Sequence, residues 1–396
     1  MKFSVLLPTR DRLEYLRYAV ESVRRQNYAN WEIVVSDNCS KDDIKGFVDS
    51  LNDIRVVYVR TSTFVPVTEN WNNALQHSDG AYVVMLGDDD GLLPDYFSTI
   101  LQAFKDFPDP DFVYGGALFF AYPGVMPDDP EGFLRYDRNA IFTGNEPTWL
   151  NSEQARGIAQ GYLNFRMPVA SNMQFSLISR RKIMELSHDG AFFHSPFPDF
   201  YATPLLFMAS KKILVLPRPI AIIGITPKSY GFYHFNNRAS AGVEFLHNAE
   251  QLKFGLKEIP AMLPGTSYND SWLMANAALY QNHAKSFGLK PRFNNYRRLQ
   301  IIHGYKHCYF DRNVDRFDFL TLVSKMTLAE RVLYSPALRV GFTVMRTLPE
   351  SFRKKLVARL RKMIGQHAMS SRVKVKKPLN NLIDAFEYVL QNRSVI

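Results

Sequence analysis

The chain has 396 residues, of which 46% are hydrophobic and 22% are charged. These values are close to the globular average and exclude a largely disordered, collagen-like or disulfide-stapled chain. Cys39 and Cys308 lie far apart, without the spacing of a zinc site, so the sequence predicts neither a zinc site nor a disulfide framework and fits a reducing compartment.

The net charge of +10 is concentrated in one segment. Residues 351–377 contain ten Lys and Arg and no Asp or Glu, so the other 369 residues balance at 38 − 38 = 0. This distribution argues against nucleic acid as a partner of the whole fold. The sequence opens without a secretory signal and contains no run of 18 apolar residues, so we expect a cytoplasmic protein without a transmembrane helix.

The first 115 residues alternate between two periodicities. The short apolar run Phe3–Pro8 predicts a strand, and apolar residues spaced three or four apart over 13–23 predict a helix. Further strands are predicted at 31–36, 54–59, 81–86 and 111–120, and further helices at 42–51, 70–77 and 93–107. This alternation predicts an α/β domain of nucleotide-binding type, with a mostly parallel central sheet and helices on both faces.

The pattern changes after residue 120. Residues 121–150 are rich in Pro, Gly and Asp and predict an irregular excursion that would serve as a lid or substrate loop. Strand signals return at 174–179 and 213–216. We therefore predict three parts: an α/β domain over 1–240, a mainly helical C-terminal region over 241–345 and a basic amphipathic tail over 346–396.

Polar residues follow the predicted strands, at the sheet edge where open α/β domains bind ligands. The clearest group is Asp88, Asp89 and Asp90, directly after a buried strand. Three adjacent carboxylates repel one another unless they are solvated or bound to a cation, and oxygen ligands suit Mg²⁺ or Mn²⁺. We therefore predict a divalent ion carrying a diphosphate. The alternative is a solvated turn that caps the helix beginning near Leu93.

Three segments resemble the family 2 glycosyltransferases of the GT-A fold: Phe3–Asp43, Asn70–Ala74 and Gly80–Pro94. They contain, in order, the PT-x-x-R turn, a Q-x-Y before the second strand, an Asp-Asn turn and an acidic DxD segment. The resemblance implies transfer of a sugar from a nucleotide-activated donor to an acceptor hydroxyl, with inversion at the anomeric carbon and with a divalent metal ion, Mn²⁺ or Mg²⁺.

The resemblance also implies a donor site. Its nucleotide-sugar-binding residues would be Pro8, Thr9, Arg10, Asp11, Asp37, Asn38, Asn70, Asn72, Asp88 and Asp89. The metal ligands would be Asp88, Asp90 and His234, the last standing where some related enzymes supply a histidine; a solvated or core histidine is the alternative. Gly87 stands where many members have the first Asp, so the sequence leaves open which aspartate binds the metal.

An inverting transfer needs a carboxylate base on the acceptor side. The resemblance places it at the start of a late helix, and Asp199 in Phe197–Tyr201 is the candidate. Aromatic and proline neighbours would raise its pKa by desolvation; the alternative is an N-cap. Pro198 replaces an acidic residue that the family usually has there. Ser171, Asn172 and Gln174 are candidate acceptor-binding residues, with ordinary strand and turn residues as the alternative.

Apolar residues at helical spacing over 352–364 face a row of Lys and Arg, which predicts a basic amphipathic helix. Such helices bind anionic membranes, where lipid-linked glycan acceptors reside. We expect 352–377 to hold the protein peripherally on the inner face of the cell membrane. The alternative is a helix packed on the body of the protein.

The predicted function is an inverting, metal-dependent glycosyltransferase in the assembly of cell-surface polysaccharide or glycoconjugate, acting on a nucleotide-sugar donor and a sugar or lipid-linked glycan acceptor. A nucleotidyltransferase acting on sugar phosphates is one alternative, although PTRDR lacks the glycines of its usual first loop. A non-catalytic glycan-binding scaffold is the other, although it would have little need for Asp88–Asp90 together with Asp199.

Overall fold

The computed structural model describes residues 1–126, 129–139, 141–229, 261–311, 316–363, 369–373, 375 and 378–392. The strands are β1 (Phe3–Thr9), β2 (Trp31–Asp37), β3 (Val56–Arg60), β4 (Tyr82–Met85), β5 (Gly91–Leu92), β6 (Phe112–Ala121), β7 (Phe133–Arg138), β8 (Thr148–Trp149), β9 (Ser176–Ser179), β10 (Ile213–Ile225) and β11 (Met369–Arg372). The helices of the N-terminal part are α1 (Leu13–Arg24), α2 (Ile44–Ser50), α3 (Val67–Gln76), α4 (Tyr96–Asp106), α5 (Ser152–Leu163), α6 (Arg180–Leu186) and α7 (Pro198–Ala209).

All described strands belong to one sheet, whose main path runs β11-β7-β6-β9-β4-β1-β2-β3. The strands β4, β1, β2 and β3 are parallel neighbours, and β10 pairs in parallel with β6. Strand β9 is inserted antiparallel between β4 and β6. The α/β prediction is therefore confirmed. The parallel arrangement holds for the first four long strands, and the sheet as a whole is mixed.

The sheet separates two large apolar cores. On one face, α1, α2 and α4 pack against β1 and β2 through residues such as Val20, Phe47 and Phe97. On the other face, α3, α5 and α7 pack around Trp71, Tyr162 and Tyr201. Because strands β1 and β2 are covered on both sides, their side chains are almost all buried, which explains their continuous apolar runs.

The excursion predicted for 121–150 contains more regular structure than we expected. Strand β7 pairs antiparallel with the end of β6, and β8 pairs with β10. Residues 133–138 (FLRYDR) bury only Leu134 completely. A strand with one buried side chain, set between Pro- and Gly-rich turns, carries too little apolar alternation to be recognised from sequence.

The C-terminal part described by the structure is mainly helical, as predicted. Its helices are α8 (Ser267–Leu279), α9 (Phe293–Lys306), α10 (Arg316–Lys325), α11 (Leu328–Thr347), α12 (Glu350–Met363) and α13 (Leu382–Gln391). None of the helices described here has the length and apolar character needed to cross a bilayer.

The end of the chain returns to the α/β domain. Strand β11 pairs antiparallel with β7 at the sheet edge. Helix α13 buries Leu382, Phe386 and Val389 in a third core, and Glu387 forms an ion pair with Arg25 of α1. The predicted bounds of the basic tail, 346–396, stay a prediction. Within these bounds, β11 and α13 pack on the first domain.

Candidate active site

An acidic cluster forms where β1 and β4 end side by side. The two strands are parallel neighbours, so the residues that follow them lie at one edge of the sheet. The hydroxyl of Thr9 donates to Oδ2 of Asp88 over 2.8 Å. The guanidinium of Arg12 then bridges two carboxylates, 2.7 Å from Oδ1 of Asp88 and 2.6 Å from Oδ2 of Asp89. All three aspartates are buried, not a solvated turn.

The carboxylate of Asp90 is held by two backbone N–H groups and one side-chain amide. Its Oδ1 accepts from the backbone N–H of Gly224 over 2.8 Å, and its Oδ2 accepts from that of Gly87 over 3.0 Å and from the amide of Gln174. A Cβ at Gly87 would lie 2.4 Å from Oδ2 of Asp90. The glycine at a position where the family often has Asp therefore has a steric reason, because Asp90 folds back onto it.

The charges of the cluster leave room for a further cation. The Arg12 guanidinium pairs with two of the three carboxylates, those of Asp88 and Asp89, while Asp90 accepts from the backbone of Gly87 and Gly224. Burial raises the pKa of Asp88 to about 6, against the favourable field of Arg12, and burial together with Asp89 raises the pKa of Asp90 well above its usual value. The oxygen-only donor set and its excess negative charge fit Mg²⁺ or Mn²⁺. Within the described ranges, however, no three His, Cys, Asp or Glu side chains converge as a complete metal site.

The rim of the cluster contains the other residues predicted from the first turn. Pro8 lies within β1, in register with Ser36 of β2. Arg10 is partly exposed, with its guanidinium 3.3 Å from the centre of the Phe64 ring. Asp11 accepts from the backbone N–H of Lys41 over 2.6 Å. These groups line the open side of the β1 turn, where a ligand could reach them.

The residues after β2 are already paired within the protein. Asp37 is fully buried and accepts from Arg60 over 2.6 Å and from the Tyr58 hydroxyl over 2.8 Å. Asn38 donates to the carbonyl of Val65 over 2.8 Å and accepts from the N–H of the same residue over 2.9 Å. Both side chains brace the turn after β2, and their contact with a nucleotide stays a prediction.

The two asparagines predicted for the donor site also have protein partners. Asn70 exchanges hydrogen bonds with Ser36, its carbonyl accepting from the hydroxyl over 2.7 Å and its amide donating to the backbone oxygen over 3.1 Å. Asn72 pairs in both directions with the backbone of Phe193, over 2.8 and 3.1 Å. Their observed role is to fix α3 against β2 and against the segment before α7, and donor binding by them stays a prediction.

A short 3₁₀ turn, Met173–Phe175, connects the acidic cluster with the predicted base. The backbone N–H of Met173 donates to Oδ1 of Asp199 over 3.2 Å, while the next side chain, Gln174, donates to Asp90. The N-cap position of α7 is Phe197, so Asp199 is not the helix cap. Burial raises the pKa of Asp199 to about 7, with the Met173 hydrogen bond opposing the rise. Such a carboxyl group is suited to take up a proton near neutral pH.

The predicted acceptor residues lie along the same turn. Ser171 is buried, and its carbonyl accepts from the hydroxyl of Thr203 over 2.8 Å. Asn172 precedes the turn and is partly exposed. Gln174 is buried and points to Asp90. Asn172 is therefore the member of this group with a side chain accessible to a substrate. His234 lies outside the described residues.

Sequence reasoning missed Arg12 and the residues that follow β10. The hydroxyls of Thr226 and Ser229 both lie on Oδ2 of Asp89, the same oxygen that Arg12 contacts. Arg12 is the final arginine of the PT-x-x-R turn, so its identity was visible in the sequence. Thr226 and Ser229 come together with the cluster only because β10 runs beside β5 and β6.

The geometry defines an α/β domain with a buried acidic cluster at the carboxyl ends of its parallel strands and a separate carboxylate, Asp199, across one turn. Comparison with known proteins also points to an α/β enzyme domain in this part of the chain. Residues 4–158 match the family model described as glycosyl transferase family 2. Over residues 4–158 the chain is therefore similar to family 2 glycosyltransferases, and the α/β fold class expected from that resemblance is observed.

Two curated relatives match the same part of the chain. The putative colanic acid biosynthesis glycosyl transferase WcaA of Escherichia coli K12 is 29% identical over 158 residues, covering 37% of this chain and 56% of the relative. The GalNAc(5)-diNAcBac-PP-undecaprenol beta-1,3-glucosyltransferase of Campylobacter jejuni is 38% identical over 104 residues, covering 26% and 34%. The match thus spans about half of the first relative and a third of the second.

Among solved structures, S. aureus TarS 1-349 in complex with UDP-GlcNAc is similar, with 17% identity and a TM-score of 0.46. The alignment covers 78% of this chain and 93% of that one.

Proposed function

We propose that this protein is an inverting glycosyltransferase that moves a sugar from a nucleotide-diphosphate sugar to an acceptor hydroxyl during the assembly of cell-surface polysaccharide or glycoconjugate. The observation that carries the proposal is the Met173–Phe175 turn. It joins the acidic cluster, through Gln174 and Asp90, to a separate carboxyl group on Asp199, whose pKa lies near neutrality. A binding site for a charged leaving group and a proton acceptor are thereby held on one short element.

The donor side of the proposal uses the acidic cluster. Asp88 and Asp89 would hold the divalent ion, because their oxygens already face a cation, the guanidinium of Arg12. This differs from the sequence-based assignment to Asp88 and Asp90, since the guanidinium contacts Asp88 and Asp89, whereas the hydrogen bonds given for Asp90 come from two backbone N–H groups and the Gln174 amide. When bound, a divalent ion offsets the charge that develops on the leaving diphosphate. Asp90 would instead hold the loop that carries Asp88 and Asp89.

The acceptor side of the proposal uses Asp199 as general base. The one hydrogen bond that the structure gives its carboxylate comes from the backbone of Met173, to Oδ1. Near neutral pH, Oδ2 can accept the proton of an acceptor hydroxyl as the new glycosidic bond forms. Asn172, partly exposed at the start of the turn, would orient that acceptor.

The class of acceptor follows from the relatives. The name of the Campylobacter enzyme describes a polyprenyl-diphosphate-linked glycan acceptor, and the name of WcaA describes colanic acid biosynthesis. We propose a lipid-linked glycan acceptor for this chain and peripheral binding to the inner face of an anionic membrane through 352–377. Helix α12 is present in this segment, and Lys355 and Arg359 are exposed on it.

Donor binding can be tested by a thermal-shift screen of nucleoside diphosphates and nucleotide sugars, each with Mn²⁺, Mg²⁺ or EDTA. A ligand that binds only the folded state raises the melting temperature. We expect one nucleotide to raise it with a metal ion and to lose most of this effect in EDTA. Asp89→Asn should abolish the shift, whereas Asp189→Asn, an exposed aspartate outside the cluster, should retain it. Equal behaviour of both variants would contradict the proposed donor site.

A further inference from the structure

Helix α11 has two apolar faces, of which the described residues cover one. Tyr334, Leu338 and Phe342 are partly buried against the small core around Leu263 and Ile301. On another side of the helix, Leu333, Val340 and Val344 are 66%, 63% and 50% exposed. A helix that only packed on a globular body would carry polar residues there.

The exposed residues form a continuous face. Positions 333, 337, 340 and 344 are spaced by four, three and four, which places them on one stripe of an α-helix. Ala337 fills the gap between Leu333 and Val340 and is itself exposed. Towards the start of the helix, Leu328 and Val332 are also exposed, at 77% and 69%, but the rotation of the helix places them outside this stripe. Isolated exposed apolar residues are common, but a contiguous patch marks an interaction surface.

The basic residues around this face favour an anionic partner. Arg339 and Arg346 are exposed on the same helix, and Lys355 and Arg359 are exposed on α12. The acidic residue within α11, Glu330, is held by Arg297 over 2.7 Å. Two copies of this surface placed face to face would bring these cationic groups together. An anionic bilayer would instead receive the apolar side chains among its acyl chains and the basic groups at its headgroups.

We infer that the exposed face of α11, formed by Leu333, Ala337, Val340 and Val344 and flanked by basic residues, inserts into the interface of an anionic membrane. This surface differs from the basic segment 352–377. On α11 the apolar side chains would enter the bilayer, and the basic residues lie beside them. The inference rests on the proposed function in one respect: the membrane contact would bring the active site to a lipid-linked acceptor.

The experiment uses the full chain and vesicle flotation with phosphatidylcholine alone and with 30% phosphatidylglycerol. We expect the protein to float with the anionic vesicles. The double variant Leu333→Gln/Val340→Gln should weaken this binding at least tenfold. Arg346→Gln should weaken it about fivefold, because a basic residue near an anionic surface contributes roughly that factor. Thr343→Gln, an exposed polar position on the same helix, is the matched control and should leave the binding unchanged.

Two results would overturn the inference. One is flotation of the double variant equal to that of the unaltered chain. The other is a concentration-dependent dimer, seen by sedimentation velocity, that Leu333→Gln/Val340→Gln abolishes, since that would assign the face to a second copy. The nucleotide thermal shift is measured on the same samples. Vesicle binding without donor binding would reject the proposed transferase activity and keep this surface. Donor binding without vesicle binding would reject this surface, together with the membrane binding proposed for 352–377, and keep the proposed transferase activity.

Discussion

The two carboxylate centres on either side of the Met173–Phe175 turn are built in opposite ways. In the acidic cluster, Asp88, Asp89 and Asp90 receive hydrogen bonds or ion pairs from many groups, among them Thr9, Arg12 and the backbone of Gly224. Within the part of the chain that the structure describes, Asp199 accepts one hydrogen bond, from the backbone of Met173, and its helix α7 belongs to a core of apolar and aromatic side chains.

The difference separates binding from proton transfer. A carboxylate held by several donors stays in one position, as a site for a cation requires, and a bound cation would oppose the burial that raises the pKa values of Asp88 and Asp90. A carboxyl group with one donor and little solvent gains a raised pKa, as a general base requires. Substitutions in the two centres should therefore act on different steps of the reaction.

The largest effect is expected from Asp199→Asn. Loss of a general base should lower kcat roughly 10²- to 10⁴-fold, while the nucleotide thermal shift stays as in the unaltered protein. Steady-state transfer to an acceptor measures the first quantity and thermal denaturation the second. Asp189→Asn, exposed near the same segment, should keep full turnover. If Asp199→Asn reduced donor binding as strongly as turnover, the two centres would not be functionally separate.

The next effect is expected at Arg12. Arg12→Gln leaves Asp88 and Asp89 buried without their cation, and breaking such a pair costs about 3 kcal/mol or more of the free energy of unfolding. Denaturant titration in EDTA measures the loss. Added Mn²⁺ should recover more stability in the variant than in the unaltered chain, because a divalent ion can occupy the vacated position.

Arg10→Gln provides the control for this variant. Arg10 lies two residues away, is 40% exposed and packs on Phe64, so its loss should cost less than about 1 kcal/mol, as for other surface positions. A result in which Mn²⁺ stabilised Arg12→Gln no more than Arg10→Gln would show that Asp88 and Asp89 do not attract a divalent ion.

The sequence predicted the first four strands and their helices because β1, β2 and β4 are buried along almost their whole length and each helix is buried on one face. These are the two periodicities that a sequence displays directly. The edge strand β3 is only partly buried and was predicted from its apolar run. The strand pattern located the acidic segment, whereas Asp199 was selected through the family resemblance. The resemblance also selected Arg10 from the first turn, whereas the structure turns Arg12 towards the aspartates. The backbone adopts φ +52° at Asp11, and no periodicity of strand or helix encodes where the chain points after such a residue.

The structural pairing of Asn70 and Asn72 was hidden for a different reason. Their partners lie on other elements, Ser36 on β2 and Phe193 before α7, so the hydrogen bonds depend on packing between elements distant in sequence. The family pattern alone favoured a ligand role for both. An amide with main-chain partners and one with a ligand look identical in a sequence.

A smaller effect is expected at Gln174, the residue that links the two centres. Gln174→Leu leaves one oxygen of Asp90 without its amide donor and should cost about 1 to 3 kcal/mol of the free energy of unfolding. If Gln174 instead bound the acceptor, the variant would raise the acceptor KM without changing stability. Asn172→Ala is the matched comparison on the same turn, and there we expect the raised acceptor KM with unchanged stability.

The smallest effect concerns the dependence of stability on pH. The pKa of Asp199 is raised to about 7, so between about pH 4 and pH 7 the folded state holds a proton that the unfolded state has released. The stabilising contribution of this group is therefore complete below about pH 4 and is lost as the pH rises through 7.

Asp199→Asn removes the titration, so the melting temperature of this variant relative to the unaltered protein should increase from pH 5 to pH 8. Turnover of the unaltered enzyme should rise over the upper part of the same range, because the base must be deprotonated to act. A melting-temperature difference that stayed constant with pH would mean that Asp199 titrates normally, and its role as a base would then have to depend on position alone.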